Sequence, residues 1–232
     1  MDRRQRAEAV LRDAVAQQQE GVRFRDFLIR EVNHRTKNAF QLGVGLLSVQ
    51  ARQVEDEGCR AVLETAMGRL RRMGEVHELL TYQGDNPDSI DFSDYLRRLC
   101  RDMEASLAPA PGQVRIEVDA EEDVAWGPDL VVPLGLIVGE ALTNAFKHAF
   151  PDGRRGRVVV RLEALGGGRI RLCVEDDGVG LAETRRAGSL GLRLVEMLAR
   201  QIKGTAMVEP GRRGAGTAVI LIFSDPNTTP AA

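Results

Sequence analysis

Two consecutive stretches with helical periodicity constrain the fold of this chain more than any other feature. Apolar residues recur every three to four positions from about residue 22 to 54, and again from 59 to 82. The acidic turn E55-D56-E57-G58 separates them, and we expect its glycine to end the first helix and let the chain reverse. Two long helices joined by a short turn predict an antiparallel hairpin. A second copy would cover its apolar stripe in a dimeric four-helix bundle.

The first helix also carries a polar stripe, within the stretch E31-V-N-H-R-T-K-N38. Helical spacing puts His34, Lys37 and Asn38 on this stripe, whereas Val32 and Phe40 fall on the apolar face. His34 is therefore expected to point away from the packed face, where solvent or a docking partner reaches it.

A linker dense in turn residues, Q83-G-D-N-P-D-S89, marks the domain boundary. Four segments follow from it: a helical lead-in at 1–21, the helical hairpin at 22–83, an α+β domain at 90–225 and a flexible tail at 226–232. In the α+β domain we expect one helix near 92–107 and another at 190–202. Between them, a third helix is expected to run to His148, with Asp129 as its N-cap and Pro133 in its first turn. Strands are expected at 114–118, 157–162, 170–174, 206–208 and 218–223. This order predicts helices stacked on one face of a mixed, largely antiparallel sheet.

Composition excludes some partners. The 32 Lys and Arg residues nearly balance the 34 Asp and Glu residues, so the bulk charge favours neither nucleic acid nor a membrane surface. No apolar run reaches the roughly 18 residues that a spanning helix needs, and we expect no membrane insertion. Three widely spaced cysteines, Cys59, Cys100 and Cys173, indicate buried thiols in a reducing compartment, so we expect a cytoplasmic protein.

The predicted helix that ends at His148 carries Glu140, Asn144, Lys147 and His148 at positions one turn apart. Carboxylate and amide oxygens are hard ligands that Mg²⁺ accepts while keeping several waters, and a lysine can meet phosphate charge. Taken alone, such a stripe is also what a solvated helix face shows.

Three glycine-rich stretches follow, and none of them alone is specific evidence for a function. V174-E-D-D-G-V-G180 ends a strand in a sharp turn, where Asp176 can accept a hydrogen bond from an exocyclic amine such as that of adenine. G188-S-L-G-L192 opens a helix, whose free N–H groups favour an anion. G214-A-G-T217 precedes the last strand, where small residues let a ligand approach the backbone.

In order and spacing, these motifs resemble the N, G1 and G2 boxes of the ATP-binding domain shared by histidine kinases, gyrase and MutL. The resemblance covers roughly residues 113–223. The H-R-T-K-N box with its hairpin resembles the dimerisation and phosphoacceptor domain of histidine kinases related to the HWE subfamily. The implied fold is a dimeric helical bundle followed by an α/β-sandwich ATP-binding domain.

The resemblance also implies roles for the residues of the nucleotide site. Asn144 would coordinate Mg²⁺, Glu140 would act through the metal or a water, and Asp176 would hold the adenine amine. Lys147 and His148 would line the phosphate side. The residues expected to shape the pocket and its floor are Gly178, Gly180, Gly188, Leu190, Gly191 and Thr217, and 181–187 looks like a short ATP lid.

In such a kinase ATP would phosphorylate His34, and a response regulator would then take the phosphoryl group onto an aspartate. Arg35, Lys37 and Asn38 would help to position the reactants and compensate charge. Glu31, one turn before His34, would orient the ring nitrogen. His77 is interpreted as structural and His148 as a phosphate contact, so His34 is the expected phosphoacceptor.

Two other functions use parts of the same pattern. One is a histidine phosphotransferase or adaptor with little ATP activity, and the other is an anti-sigma-type serine kinase without a phosphohistidine. The polar lead-in is too short to bury an input-binding core, so we expect either an input from a separate sensory partner or a chain that is part of a longer protein.

Overall fold

The computed structural model describes residues 31–32, 35–82, 89–108, 112–121, 124–180, 190–212 and 214–228, with the backbone alone at 75–82 and 190. The chain divides into two units, the first ending at Tyr82 and the second beginning at Gln83. The expected lead-in, most of the linker, His34, Gly188 and the expected lid lie outside the described residues.

The first unit is a helical hairpin. Helix α1 is helical at residues 31–32 and 35–53, and α2 spans Glu57–Tyr82. Asp56 begins α2, because its Oδ1 accepts a 2.7 Å hydrogen bond from the backbone N–H of Cys59. Gly58 lies inside this first turn, so the prediction that it ends the first helix was wrong.

The hairpin leaves large apolar side chains on its surface. Leu42 is 67% exposed and Leu46 is 62% exposed on α1, and Val62 is 58% exposed on α2. At Gly43 the two helices approach closely, since a Cβ there would lie 3.3 Å from Leu70 Cδ1. The hairpin by itself therefore leaves part of its apolar surface in water.

In the part of the second unit that the structure describes, three α-helices form a layer on a five-stranded sheet. Its helices are α3 (Phe92–Leu107), α4 (Pro128–His148) and α5 (Leu190–Gln201). Its strands are β1 (Ile90–Asp91), β2 (Val114–Ala120), β3 (Ala125–Trp126), β4 (Gly156–Gly166), β5 (Arg169–Asp176), β6 (Thr205–Pro210) and β7 (Thr217–Ser224). The main sheet has the order β2-β4-β5-β7-β6, with β2 and β4 parallel and the other neighbours antiparallel. The predicted α+β class is confirmed, and the separate β1–β3 pair is an addition to it.

Helix α4 is the buried centre of the helical layer. It is the one helix in the described part of the chain that is long and apolar enough to cross a membrane, yet most of it is buried against the rest of the unit. It begins at Pro128 after the N-cap Gly127, two residues earlier than the predicted cap Asp129. Pro133 therefore lies beyond the first turn.

The end of the sheet is tied to β3 by polar contacts. Trp126 packs on Phe223 with ring centroids 5.4 Å apart, and its Nε1 donates a 3.0 Å hydrogen bond to Asp225 Oδ1. Asn227 Nδ2 donates to the carbonyl of Ala125 at 2.9 Å. The tail predicted to be flexible from 226 is thus corrected at 226–228, which form a hydrogen-bonded turn; 229–232 lie outside the described residues.

Exposure of the three cysteines predicts their reactivity. Cys59 is exposed, contrary to expectation, whereas Cys100 and Cys173 are buried. Burial, with Glu104 nearby, raises the pKa of Cys100 to about 12, and burial also raises the pKa of Cys173. Since the thiolate is the reactive form, we expect a maleimide at pH 7 to modify Cys59 alone in the native protein. Mass spectrometry should find one adduct, and three after denaturation; rapid native labelling of Cys100 would contradict the described core.

Candidate functional site

One wall of the candidate site is the polar stripe of α4, which runs from the core to the surface. Glu140 is only 2% exposed, Asn144 is half-buried, and Lys147 and His148 are exposed at the helix end. These residues therefore have the helical spacing expected from the sequence. A buried carboxylate, an amide one turn later and a cation beyond it lie at adjoining positions of the helix.

The first turn of α5 closes directly onto this stripe at Gly191. A Cβ at Gly191 would overlap Glu140 Oε1 and lie 3.4 Å from Asn144 Nδ2. Only glycine fits there without displacing one of these side chains. The predicted residues Glu140, Asn144 and Gly191 are thus brought together, next to the amino end of a helix that favours anions. Leu190 begins this helix.

The opposite wall is the end of β5, where Asp176 is 7% exposed. Its Oδ1 accepts a 2.9 Å hydrogen bond from the N–H of Gly178, and the backbone N–H of Thr217 also donates to the carboxylate. Burial raises the pKa of Asp176, and the neighbouring charges of Asp177 and Glu175 add to the rise against these two hydrogen bonds. The carboxylate is therefore a strong hydrogen-bond acceptor that is shielded from solvent.

Glycines let three backbone segments meet around Asp176. A Cβ at Gly178 would overlap Ala149, and one at Gly216 would overlap the carbonyl of Asp176. Gly180, at φ +79°, lies against the carbonyl of Gly216. Gly216 was not among the predicted site residues, although the motif G214-A-G-T217 was singled out; its role depends on a contact between distant segments.

Two cavities in the second unit compete for the role of binding site. One, of about 230 Å³, adjoins the glycine-rich turn, and its lining residues are Val179, Gly180, Val208, Glu209, Pro210, Gly214, Gly216 and Thr217. The other, of about 700 Å³, lies between α3 and β2. Polar side chains of this larger cavity form hydrogen bonds with the backbone of β2. Glu104 accepts from the N–H of Ile116 at 2.7 Å, and Arg97 donates to the carbonyl of Ala120 at 3.0 Å. We assign the site to the end of the sheet beside the smaller cavity, because among the described residues this end combines the buried carboxylate of Asp176 with glycine-lined backbone; the lining of the cavity itself includes no residue of α4.

The donors on α4 fit a metal that arrives with a nucleotide. Among the described residues, no three His, Cys, Asp or Glu side chains cluster as a resident metal site requires. Glu140 and Asn144 offer two hard oxygen ligands within one turn. Mg²⁺ commonly takes one or two protein ligands and completes its shell with water and substrate phosphates, so these residues suit it.

The stretch expected to present the phosphoacceptor is described only around His34. Arg35 Nε and Glu31 Oε1 form a 2.7 Å ion pair on the helix surface, with side chains 78% and 42% exposed. Asn38 is exposed, whereas Lys37 is half-buried and lines a cleft of about 300 Å³ between α1 and α2, together with Phe40 and Arg71. The expected role of Glu31 towards His34 stays a prediction.

Comparisons with known proteins agree with this geometry. The family described as "Histidine kinase" matches residues 31–107, and the family described as "Histidine kinase-, DNA gyrase B-, and HSP90-like ATPase" matches residues 130–227. The chain is 30% identical over 205 residues to blue-light-activated histidine kinase 2 of Erythrobacter litoralis, covering 84% of this chain and 56% of that protein. It is 29% identical to sensor histidine kinase PdtaS of Mycobacterium tuberculosis, covering 85% of this chain and 39% of that one.

A solved structure shows the same likeness. The histidine kinase domain of the blue-light-activated histidine kinase EL346 of Erythrobacter litoralis superposes with a TM-score of 0.58 at 27% identity, covering 76% of this chain and 92% of that domain. The chain spans less than two thirds of the length of the curated relatives it matches.

The raised pKa of Asp176 predicts opposite effects of Asp176→Asn on stability and on nucleotide binding. A folded pKa above the ordinary value near 3.8 means that this group's contribution to stability is present at low pH and is lost as the pH rises through the folded pKa. At pH 7 the buried charge is a cost, which asparagine removes while it keeps an acceptor oxygen. We expect an unchanged or higher melting temperature without nucleotide, and ATP affinity at least about tenfold weaker.

Differential scanning calorimetry at pH 7 and near pH 3.5, with a nucleotide titration, measures both effects. Any gain in melting temperature should shrink at the lower pH, where the wild-type carboxyl is mostly protonated in both states. A lower melting temperature of Asp176→Asn at pH 7 would contradict the electrostatic description of this site.

Proposed function

Because the chain belongs to the histidine kinase family, we propose that it autophosphorylates His34 from ATP and passes the phosphoryl group to an aspartate of a response regulator. The first step breaks the bond between the γ-phosphorus and the bridging oxygen of ADP and forms a phosphorus–nitrogen bond on the imidazole. ADP leaves, and the imidazole loses its proton. The second step breaks this phosphorus–nitrogen bond, returns its electron pair to the imidazole, and forms a phosphorus–oxygen bond on a carboxylate of the regulator.

One observation carries the nucleotide half of this proposal. A buried carboxylate, Asp176, lies at a glycine-rich strand end, and a buried Glu140 with Asn144 lies against the first turn of a helix at Gly191. The first suits the amine of a purine base and the second suits phosphates with their cation. An ATP site needs both kinds of recognition on one domain.

Each wall has a separate task in the proposed mechanism. Asp176 accepts the adenine amine, and Thr217 supports the floor beneath it. Glu140 and Asn144 would hold Mg²⁺, which when bound neutralises phosphate charge. Lys147 and His148 contact the phosphates, and the residues expected to shape the pocket are Gly178, Gly180, Gly188, Leu190 and Gly191.

On the phosphoacceptor helix, His34 is the nucleophile. An imidazole is a nucleophile in its neutral form, so the proposed reaction requires positioning more than activation. Arg35, Lys37 and Asn38 supply charge compensation and hydrogen bonds around it. The ion pair between Glu31 and Arg35 gives Glu31 a second task besides orienting the ring, since it also holds Arg35.

The proposed partners follow from the exposed surfaces and from the relatives. The apolar side chains left in water on the hairpin, including Leu42 and Leu46, favour a homodimer in which a second copy covers them. A receiver domain of a response regulator accepts the phosphoryl group, and a separate sensory partner supplies the input. We place these events in the cytoplasm. An adaptor that does not use ATP is not favoured, since it would have no need of Asp176 and Asn144 together.

Labelling with γ-³²P-ATP and Mg²⁺ tests this function. Wild type should acquire label that is labile to acid and stable to base. His34→Ala should acquire none, and Asn144→Ala should be labelled at a rate lower by about 100-fold, since it loses charge stabilisation at the phosphates. The matched control is His77→Ala, which removes another histidine outside the expected box and should be labelled like wild type. Undiminished labelling of His34→Ala would overturn the assignment of the phosphoacceptor.

A further inference from the structure

Three acidic residues stand in a row at the end of β5, Glu175, Asp176 and Asp177. Successive residues of a strand point to opposite faces, so Glu175 points away from the face that Asp176 occupies, and Asp177 follows the last residue of the strand. Adjacent carboxylates repel one another, and such a row persists only where each charge has its own partners. The proposed ATP site uses Asp176 alone, which leaves the two flanking carboxylates without a role.

Glu175 holds the turn between β6 and β7. Its Oε1 accepts a 2.7 Å hydrogen bond from the backbone N–H of Arg212, and its Oε2 accepts a 2.8 Å bond from Arg161 Nη1. The two side chains of the ion pair are only 13% and 18% exposed. Burial by itself would raise the pKa of Glu175, but the bonds from Arg161 and Arg212 together hold it below its usual value. The turn that carries Gly216 is thus attached to the strand that carries Asp176.

Asp177 holds the other side of the pocket, at the start of β4. Its Oδ1 accepts a 2.8 Å hydrogen bond from the N–H of Arg157, and its own N–H donates to the carbonyl of Arg157 at 3.1 Å. Arg154 Nη2 donates to the carbonyl of Asp177 at 2.9 Å. A Cβ at Gly156 would lie 2.7 Å from Asp177 Oδ1, so glycine is needed for this contact.

The turn after Asp177 is attached to the end of α4 as well. The N–H of Val179 donates to the carbonyl of Ala149 at 3.0 Å, and Gly178 packs against the same residue. The start of β4 and the end of α4 therefore fix one side of the glycine-rich turn, and the β6–β7 turn fixes the other. Asp176 lies between these two attachments.

We propose that Glu175 and Asp177 are positioning residues for the nucleotide pocket: Glu175 accepts a backbone N–H from the β6–β7 turn, Asp177 accepts one from the start of β4, and together they set the place of the Asp176 carboxylate relative to the base amine. This inference rests on the proposed ATP site at Asp176. In this inference Asp176 binds the base, whereas Glu175 and Asp177 hold the backbone segments on either side of it.

The chemistry of the attachments separates this role from a general effect of charge. Both flanking carboxylates accept from backbone N–H groups, and an amide oxygen at the same position can accept the same bond, without the charge. Asp177→Asn therefore keeps the attachment, whereas Asp177→Ala removes it. Glu117→Ala is the matched control, because Glu117 accepts a 3.2 Å bond from the Arg157 side chain on the surface and leaves the Arg157 backbone untouched.

The test compares ATP with inosine triphosphate, which carries a carbonyl where adenine carries its amine. Isothermal titration calorimetry on the full chain with Mg²⁺ gives the ratio of the two affinities for each variant. We expect this ratio to fall at least about tenfold in Asp177→Ala and in Glu175→Ala, as the loss of one well-aligned hydrogen bond to a charged group does. Asp177→Asn and Glu117→Ala should keep the wild-type ratio. Asn144→Ala should weaken both nucleotides equally.

The outcomes separate the inference from the function beneath it. If wild type binds no ATP, or binds both nucleotides equally, the proposed ATP site at Asp176 falls and the inference falls with it. If wild type prefers ATP and both alanine variants keep its ratio, only the positioning role is overturned. Equal weakening of both nucleotides in these variants, with a lower melting temperature, shows a merely structural role and also overturns it.

Discussion

The second unit depends on keeping one carboxylate, that of Asp176, almost out of water at the end of β5. Burying a charged group costs free energy unless hydrogen bonds replace its lost hydration. Here the backbone N–H of Gly178, in the turn after Asp176, and that of Thr217, at the start of β7, supply them, so β7 and the segments around the turn must approach closely. The glycines at 178 and 216 make that approach possible, since a side chain at either would overlap a neighbour. The burial of Asp176 therefore depends on the glycines at positions 178 and 216.

The same logic applies to α4, the central helix of the layer. Its apolar residues fill the core between α3 and α5, and its buried polar residues are Glu140 and Thr143, whose Oγ1 donates to the carbonyl of Gly139 at 2.7 Å. A helix so apolar is a rigid support, so the amide and carboxylate oxygens one turn apart are held by the core. Gly191 brings the start of α5 to them. Glu140, Asn144 and Gly191 therefore take part both in the packing of α5 on α4 and in the proposed recognition of phosphates.

Much of the second unit could be predicted from the sequence because its signals are local. The hairpin between β4 and β5 follows from alternation around G166-G-G168, and α3 and α5 follow from their period. The start of α4 was misplaced because Asp129 is a good cap by residue type, while the chain uses Gly127 before Pro128. The β1–β3 pair is two residues long on each side and has no period to detect. The site residues Glu140, Asn144, Asp176 and Gly191 were found through their motif. The roles of Gly216 and Asp177 were not, because they arise from contacts between segments distant in the chain.

Hydrogen exchange of the full chain with and without Mg²⁺ and ATP tests the central claim most directly, that the nucleotide binds between Asp176 and α4. The account predicts slower exchange in peptides covering 139–146, 174–180 and 211–218 when ATP is present. Peptides covering 97–118, around the larger cavity between α3 and β2, should exchange unchanged. Protection confined to 97–118, or no protection around Asp176, would contradict the account.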